Sequence, residues 1–564
     1  MIETTPSTVP TTFVGRRRLL RTAAAVTSSG VLAGLGVTAA APAFAATAAD
    51  CNAGNTVDAS TGDAADIQTL LDADTAIVCL SGTFPLTSTL TFDHDLTLFG
   101  LDDATLDGGG STQLLSGGVG GSIVAQNIAF ENGQAIFGGA IYVDGDLEIE
   151  NSTFTNNESF EDGGAIYVNG DSSAPSVSIT GSTFTNNQTG PEFSEFDGYS
   201  GGALYVEDSS GLIEIVDSVF TGNEASEAGG AVFAYAAVVD SSTFTDNSAP
   251  AGGALYGAAG FVYESTFSEN SAEFGGAIAS VVYGAAFGST FVGNEAEFAG
   301  GALATGLGID DGPVGYGAVI TLNSTYVSNS AGEVGGAVFA DYGQVGFTTF
   351  LENRANGEEV GEEGEAIFAT GFDGTLQIGG SIFAGSRSNA QLGQDGEGSF
   401  EDFGGNVFST PRATEVALET VDDSTQFSAS VSQIFGPSPA LANNGGSTQT
   451  LRLPASSPAV DAVPEGVFDT VSTSLDAALG EFASAAQFIA AVDDVNVDQR
   501  NEPRTTGLSD AGAFELQADE IGSELADTGL DDVKVSLLGG FAALLVGIGA
   551  AFAIGTRRLS RNDR

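Results

Sequence analysis

Residues 241–257 read SSTFTDNSAPAGGALYG, and residues 264–280 read ESTFSENSAEFGGAIAS. Shifted by 23 residues, the two superimpose: Phe244 on Phe267, Asn247 on Asn270, and Gly252-Gly253-Ala254 on Gly275-Gly276-Ala277. The same two signals recur on both sides. Phe-x-x-Asn is found as Phe154 with Asn157, Phe184 with Asn187, Phe220 with Asn223, Phe291 with Asn294 and Phe350 with Asn353, with Tyr326 and Asn329 as a variant. Gly-Gly-Ala followed by an aliphatic residue starts at Gly138, Gly163, Gly201, Gly229, Gly252, Gly275, Gly300 and Gly335. Copies usually lie about 23 to 25 residues apart, with longer gaps where a loop is inserted, as between Asn187 and Gly201. A fixed period of this length marks a chain of stacked repeats.

Within each repeat the apolar residues alternate, as in Ala165-Ile166-Tyr167-Val168 and Ser152-Thr153-Phe154-Thr155, and are broken by Gly and Asn. That pattern predicts short strands, since a helical solenoid needs apolar spacings of three and four. A repeat of this size can form one coil of three strands and three turns, and stacked coils bury a core that no single repeat could make. The expected fold is all-β, a right-handed parallel β-helix over residues 74–408 with roughly a dozen coils. Phe154, Phe184, Phe220, Phe244, Phe267 and Phe291 are expected to point inward as one stack. Asn157, Asn187, Asn223, Asn247, Asn270 and Asn294 are expected to hydrogen-bond along it, while the paired glycines allow backbone angles and close approaches that a Cβ forbids. The paired signals resemble the polymorphic outer-membrane protein repeat, and the body resembles pectin-lyase-like β-helices. The resemblance implies an extracellular, adhesin-like setting, although the outer-membrane barrel of that family has no counterpart signature here.

Residues 46–73 are expected to cap the helix, with a short amphipathic helix over Ala64 to Leu71 protecting the first strand edges. After the repeats, Leu441 to Thr450, Ser457-Pro458-Ala459-Val460-Asp461, Asp498-Gln499-Arg500, Pro503-Arg504 and Asp510 to Glu515 resemble the choice-of-anchor Q region of bacterial surface β-helix proteins. That region is expected over residues 409–516, split by an insertion around Gly466 to Phe488.

Both ends read as addresses. Arg16-Arg17-Arg18-Leu19-Leu20-Arg21 leads into an apolar stretch ending at Ala43-Phe44-Ala45, the pattern of a cleavable signal peptide over residues 1–45. It resembles the twin-arginine export signal, with Gly15 where Ser or Thr is usual; the general secretory route is the alternative. At the other end Val535 to Gly555 is long and apolar enough to cross a bilayer, and Arg557, Arg558 and Arg561 would stay on the cytoplasmic side. Before it stand Leu525, Ala526, Asp527, Thr528 and Gly529, which resemble the LAxTG signal of class E sortases in high-GC Gram-positive bacteria. The resemblance implies cleavage between Thr528 and Gly529 by a sortase and covalent joining of Thr528 to a cell-envelope acceptor, with a plain membrane anchor as the alternative. Cys51 and Cys79 follow the export signal, so in an oxidising compartment a disulfide is expected, the alternative being two partly buried thiols.

The chain of 564 residues carries a formal charge of −59, with 74 acidic residues against 15 lysines and arginines. Such a field repels nucleic acid and anionic lipid and attracts cations or basic partners. The repeats hold Arg354 and Arg387 as their basic residues, and the sole histidine, His94, lies before them between Asp93 and Asp95, where it is expected to be a solvated turn residue. Lyases of this fold need a basic residue beside calcium-binding acids, and hydrolases need positioned carboxylates. The Asn-Thr-Asp, Gly-His-Gly and Arg-x-Lys set of polygalacturonases is not found. The expected function is therefore wall-attached binding or display toward a glycan or protein ligand, with a surface-anchored polysaccharide lyase or glycoside hydrolase as the alternative. No catalytic residue and no organic cofactor is expected. Glu158, Glu224 and Glu295 each follow Phe-x-x-Asn directly and are candidate calcium ligands, because in-register coils would place them in one column.

Overall fold

A computed structural model describes residues 46–517, apart from residues 171–174, 191–197, 208–211, 309–311, 314–316, 358–363, 371–373, 386–389, 395–397, 410–417, 419–420, 428, 465, 468–469, 472–496 and 505–507. The export signal, the residues 525–529, the apolar segment 535–555, Arg387 and most of the 466–488 insertion lie outside these residues. No helix among the described residues is long and apolar enough to cross a membrane.

The chain is a parallel β-helix whose coils pair with their neighbours along every face. One face stacks strands such as Ile141–Asp144, Ile166–Val168 and Leu204–Val206; a second stacks Leu147–Glu150, Val177–Thr180 and Leu212–Val216. Strands Leu255–Tyr263 and Ile278–Phe287 run through both. The third face stacks the phenylalanine strands, from Thr83–Pro85 through Thr243–Thr245 to Gln426–Phe427. Parallel pairing already begins with Thr56–Asp58 against Cys79–Ser81, so the stack reaches past both expected ends of the repeat body. Helix Ala64–Leu71 follows that first strand, closed by an Asp63–Asp66 capping box, and buries Ile67 and Leu71 against the end of the core.

The repeated residues explain the stacking. From Phe130 to Phe427 the rings of successive coils lie 4.6–5.1 Å apart and within 13° of parallel, including Tyr326 in the place of a phenylalanine. Beside them runs an asparagine ladder from Asn157 to Asn353. Each Nδ2 donates to the next asparagine Oδ1, as from Asn247 to Asn270 at 3.0 Å, and to the Phe carbonyl one coil back, as to Phe220 at 3.0 Å. Each Oδ1 also accepts the backbone N–H of the preceding asparagine, so both amide hydrogens and the carbonyl oxygen are used without water. A serine ladder, Ser152, Ser182, Ser218, Ser242, Ser265, Ser289 and Ser324, accepts the N–H of the preceding serine at 3.0–3.2 Å. The first glycine of each Gly-Gly-Ala pair has a left-handed φ, +63° at Gly252. A Cβ on the second would meet the next coil's carbonyl oxygen, at 2.2 Å for Gly253. The two glycines are thus fixed by different constraints, one torsional and one steric.

The C-terminal segment lies along the outside of the phenylalanine face. The outward threonines of three consecutive coils hold it: Thr290 Oγ1 donates to the Gln449 carbonyl (2.7 Å), Thr325 Oγ1 donates to Gln499 Oε1 (2.6 Å), and Thr349 Oγ1 accepts from Ala513 N (2.9 Å). Arg504 Nη2 donates to Asn323 Oδ1 at 2.7 Å while Nη1 pairs with Glu515 at 3.5 Å, both side chains being fully buried. Arg500 pairs with Asp498 at 2.8 Å, and the two guanidinium groups lie over Phe514 and Phe347. The Asp-Gln-Arg and Asp-Ala-Gly-Ala-Phe-Glu signatures are therefore a buried clasp that covers outer apolar residues such as Leu351, Ile382 and Val407.

Candidate functional site

Three outward features carry charge or aromatic rings. The first is the column that contains Glu158, Glu224 and Glu295. Register places all three in one line, but Gln188 stands between Glu158 and Glu224, and Ser248 and Ser271 stand between Glu224 and Glu295. At one strand spacing per coil the nearest pair is about 10 Å apart. No two of the three glutamates therefore stand on adjacent coils, so the column does not present the side-by-side carboxylates on which the expected inter-coil calcium site rests. Gln134 Nε2 instead donates to the Glu158 carboxylate at 3.3 Å, and the line ends on exposed Arg354 beside Ser330.

The second feature is an aromatic column that the repeat signals did not single out. Tyr142, Tyr167, Tyr205, Phe233 and Tyr256 point away from the core on consecutive strands, with ring centroids 4.8–5.5 Å apart. The signal was present as the aromatic residue two places after Ala in Ala-Ile-Tyr, Ala-Leu-Tyr and Ala-Val-Phe. Because the rings stack on one another, most ring faces are occupied by neighbours, and the Tyr167 and Tyr256 hydroxyls are taken by Glu207 and the Leu307 carbonyl. Carboxylates flank it. Tyr167 donates to Glu207 Oε2 at 2.6 Å, and Asp162 accepts from Ser200 N at 2.8 Å. Burial, aided by the negative charges of Glu161 and Glu207, pushes the Asp162 carboxyl up to about 7. Burial and the carboxylates of Asp162, Glu207 and Glu227 push the Tyr205 phenol up as well. Such a strip can accept hydrogen bonds and attract cations; it supplies no base of the arginine or lysine type.

The third feature is the N-terminal corner. Cys51 and Cys79 form a disulfide that ties the segment before the first strand to the second coil. His94 is not the solvated turn residue expected: its side chain is 16% exposed and packs edge-on against Phe92. Asp74 and Asp93 lie beside it.

Four segments, residues 151–169, 217–235, 241–258 and 264–281, match the profile of the Chlamydia polymorphic membrane protein repeat. Each begins just before a phenylalanine strand and ends on or just past the first face, so the matched unit is the part of the coil that carries the Phe-x-x-Asn and Gly-Gly-Ala signals. No curated protein sequence matches the chain. Among solved structures, a mannuronic acid specific polysaccharide family 6 lyase enzyme from human gut microbiota aligns over 66% of this chain and 90% of that chain, at 12% identity and a TM-score of 0.28. A similarity at that level transfers no site.

Proposed function

We propose that the chain is an exported, surface-held β-helix that acts by binding or display, in the manner of an adhesin, and not by catalysis. One observation carries this reading: the residues of the two repeated signals are spent on the stack. Phenylalanines fill the core, asparagines and serines form the ladders, and glycines make the turns. Most of what recurs is scaffold, the outward aromatic column being the exception, and most of what differs between coils faces outward, which is the division expected of a rigid presenting surface. The match to a polymorphic membrane protein repeat supports the surface setting. Attachment then follows from the C-terminal signal: a sortase would cut after Thr528 and join it to the envelope, the apolar segment holding the chain in the membrane until then. The bound partner would be a glycan or a protein.

Two measurements test this. Cells producing the chain should keep it in the detergent-insoluble wall fraction, and Thr528→Ala should move it to the membrane fraction or the medium; a wild type extracted fully by detergent leaves only a membrane anchor. The full chain, screened against glycans and scored for both retention and shortened products, should retain a ligand without cleaving it. Unsaturated or reducing ends released from any glycan would overturn the binding reading in favour of a lyase or hydrolase.

A further inference from the structure

We infer that Asp74, Asp93 and His94 form a binding site for one divalent transition-metal ion of the zinc type, which joins the first two coils at the N-terminal end. The three side chains converge: His94 Nδ1 lies 3.6 Å from Asp74 Oδ1 and 3.8 Å from Asp93 Oδ1, and the donor atoms all lie within 4.8 Å of one another. The tautomer is set from the other side of the ring. His94 Nε2 lies 3.4 Å from the carbonyl oxygen of Thr75, which can only accept, so Nε2 carries the hydrogen. In the neutral ring Nδ1 is then a bare lone pair. That atom is buried and has no hydrogen-bond partner, and what it faces is two carboxylates.

A lone pair aimed at two anions is unfavourable unless a cation lies between them. A proton on Nδ1 would face its carboxylate oxygens at 3.6 and 3.8 Å, farther than the 3.4 Å from Nε2 to Thr75 and outside hydrogen-bond distance. A metal fits better. With bonds of about 2.0–2.2 Å to nitrogen and oxygen, neighbouring ligand atoms of a tetrahedral or octahedral shell lie about 3.0–3.6 Å apart. The Asp74 separation is at the edge of that range and the Asp93 separation of 3.8 Å lies just beyond it; both aspartates are exposed and able to turn inward. A backbone carbonyl on the second ring nitrogen is also the usual way a ligating histidine is oriented. An imidazole with two carboxylates suits zinc and its neighbours better than calcium, which prefers all-oxygen shells.

The neighbouring acids of this corner differ. Asp95 accepts from Ser122 N, Asp144 from Gly120 N and Asp146 from Ser176 N, each joining adjacent coils through a backbone N–H. Asp74 and Asp93 are instead the pair turned toward the imidazole. The bound ion would join the coils at the place where those residues use hydrogen bonds, on the same terminal turns that the Cys51–Cys79 disulfide secures.

The sole histidine makes the test direct. The full chain, without a histidine tag, stripped with chelator and labelled with nitrogen-15 histidine, is titrated with zinc and separately with calcium. Zinc should bind at one equivalent, shift the Nδ1 resonance and leave Nε2 protonated; calcium should leave both nitrogens unmoved. The surface variants Asp74→Asn and Asp93→Asn should each weaken zinc binding at least tenfold with unchanged circular dichroism, and His94→Ala should abolish the site. Zinc binding that leaves the imidazole resonances unmoved, or that survives both aspartate changes, would overturn the assignment, as would a failure to bind zinc at all.

Discussion

Single residues in this chain are legible when one physical constraint fixes them in every coil. Phe244 is an example: it is fully buried between Phe220 and Phe267, at 4.7 and 4.8 Å, and a stack so regular cannot collapse locally around a gap. Phe244→Ala is expected to cost about 3–5 kcal/mol in chemical denaturation. The serine ladder carried the same kind of signal, Ser-x-Phe-x-x-Asn, but serine has too many ordinary roles for its position to stand out unless the hydrogen bond is seen. Asp162 was legible only as one acid among many, because its hydrogen-bond partner Ser200 follows a loop insertion. Its carboxyl titrates near 7 in the fold against 3.8 ordinarily, so between those values the folded chain holds a proton that the unfolded chain lacks. The stability it contributes is full below the lower value and is lost as pH rises through the higher one. Asp162→Asn should therefore flatten the fall in melting temperature between pH 5 and pH 8 relative to the wild type; equal slopes would show that the group is not held protonated.

At the scale of elements, the strands and turns of the repeat follow from local pattern, whereas the clasp does not. Its signatures are visible in the sequence, but the partner of Arg504 is Asn323, separated by 181 residues, and nothing near either position announces the pairing. The clasp also explains why basic residues persist in so acidic a body. Burial alone would drive the Arg504 guanidinium toward its neutral form, and Glu515, Asp498 and Asp510 oppose that. Arg504→Ala leaves Glu515 buried without its cation, and a broken buried pair costs about 3–5 kcal/mol. Arg504→Lys should recover only part, since an ammonium cannot both reach Asn323 and lie flat over Phe347. Limited proteolysis should release the segment after residue 430 first in the Ala variant, with the phenylalanine strands still protected. Loss of both together would mean that clasp and coils unfold as one unit.

For the whole molecule the balance is between uncharged ladders in the core and a strongly acidic chain. Every ladder inside is uncharged, while the chain as a whole carries −59. The acidic column shows how the coils temper this. The residue after each ladder asparagine is Glu158, Gln188, Glu224, Ser248, Ser271, Glu295, Ser330 and Arg354 in turn, so the carboxylates are spaced by neutral residues along the axis and the line ends on a cation. Reading only the glutamates hid that spacing, although Gln188, Ser248 and Ser271 stand at the same offset in the sequence. Charges separated by about 10 Å or more across water are at the Debye length of 0.1 M salt, so ordinary salt should relieve most of their repulsion. The chain should melt several degrees higher at 0.15 M than at 0.01 M sodium chloride. Calcium chloride at matched ionic strength should give the same gain, because no two of these glutamates stand on adjacent coils. A clearly larger gain with calcium would mean that carboxylates from different columns come together at a turn, and Asp74→Asn and Glu158→Gln would then show which corner holds it.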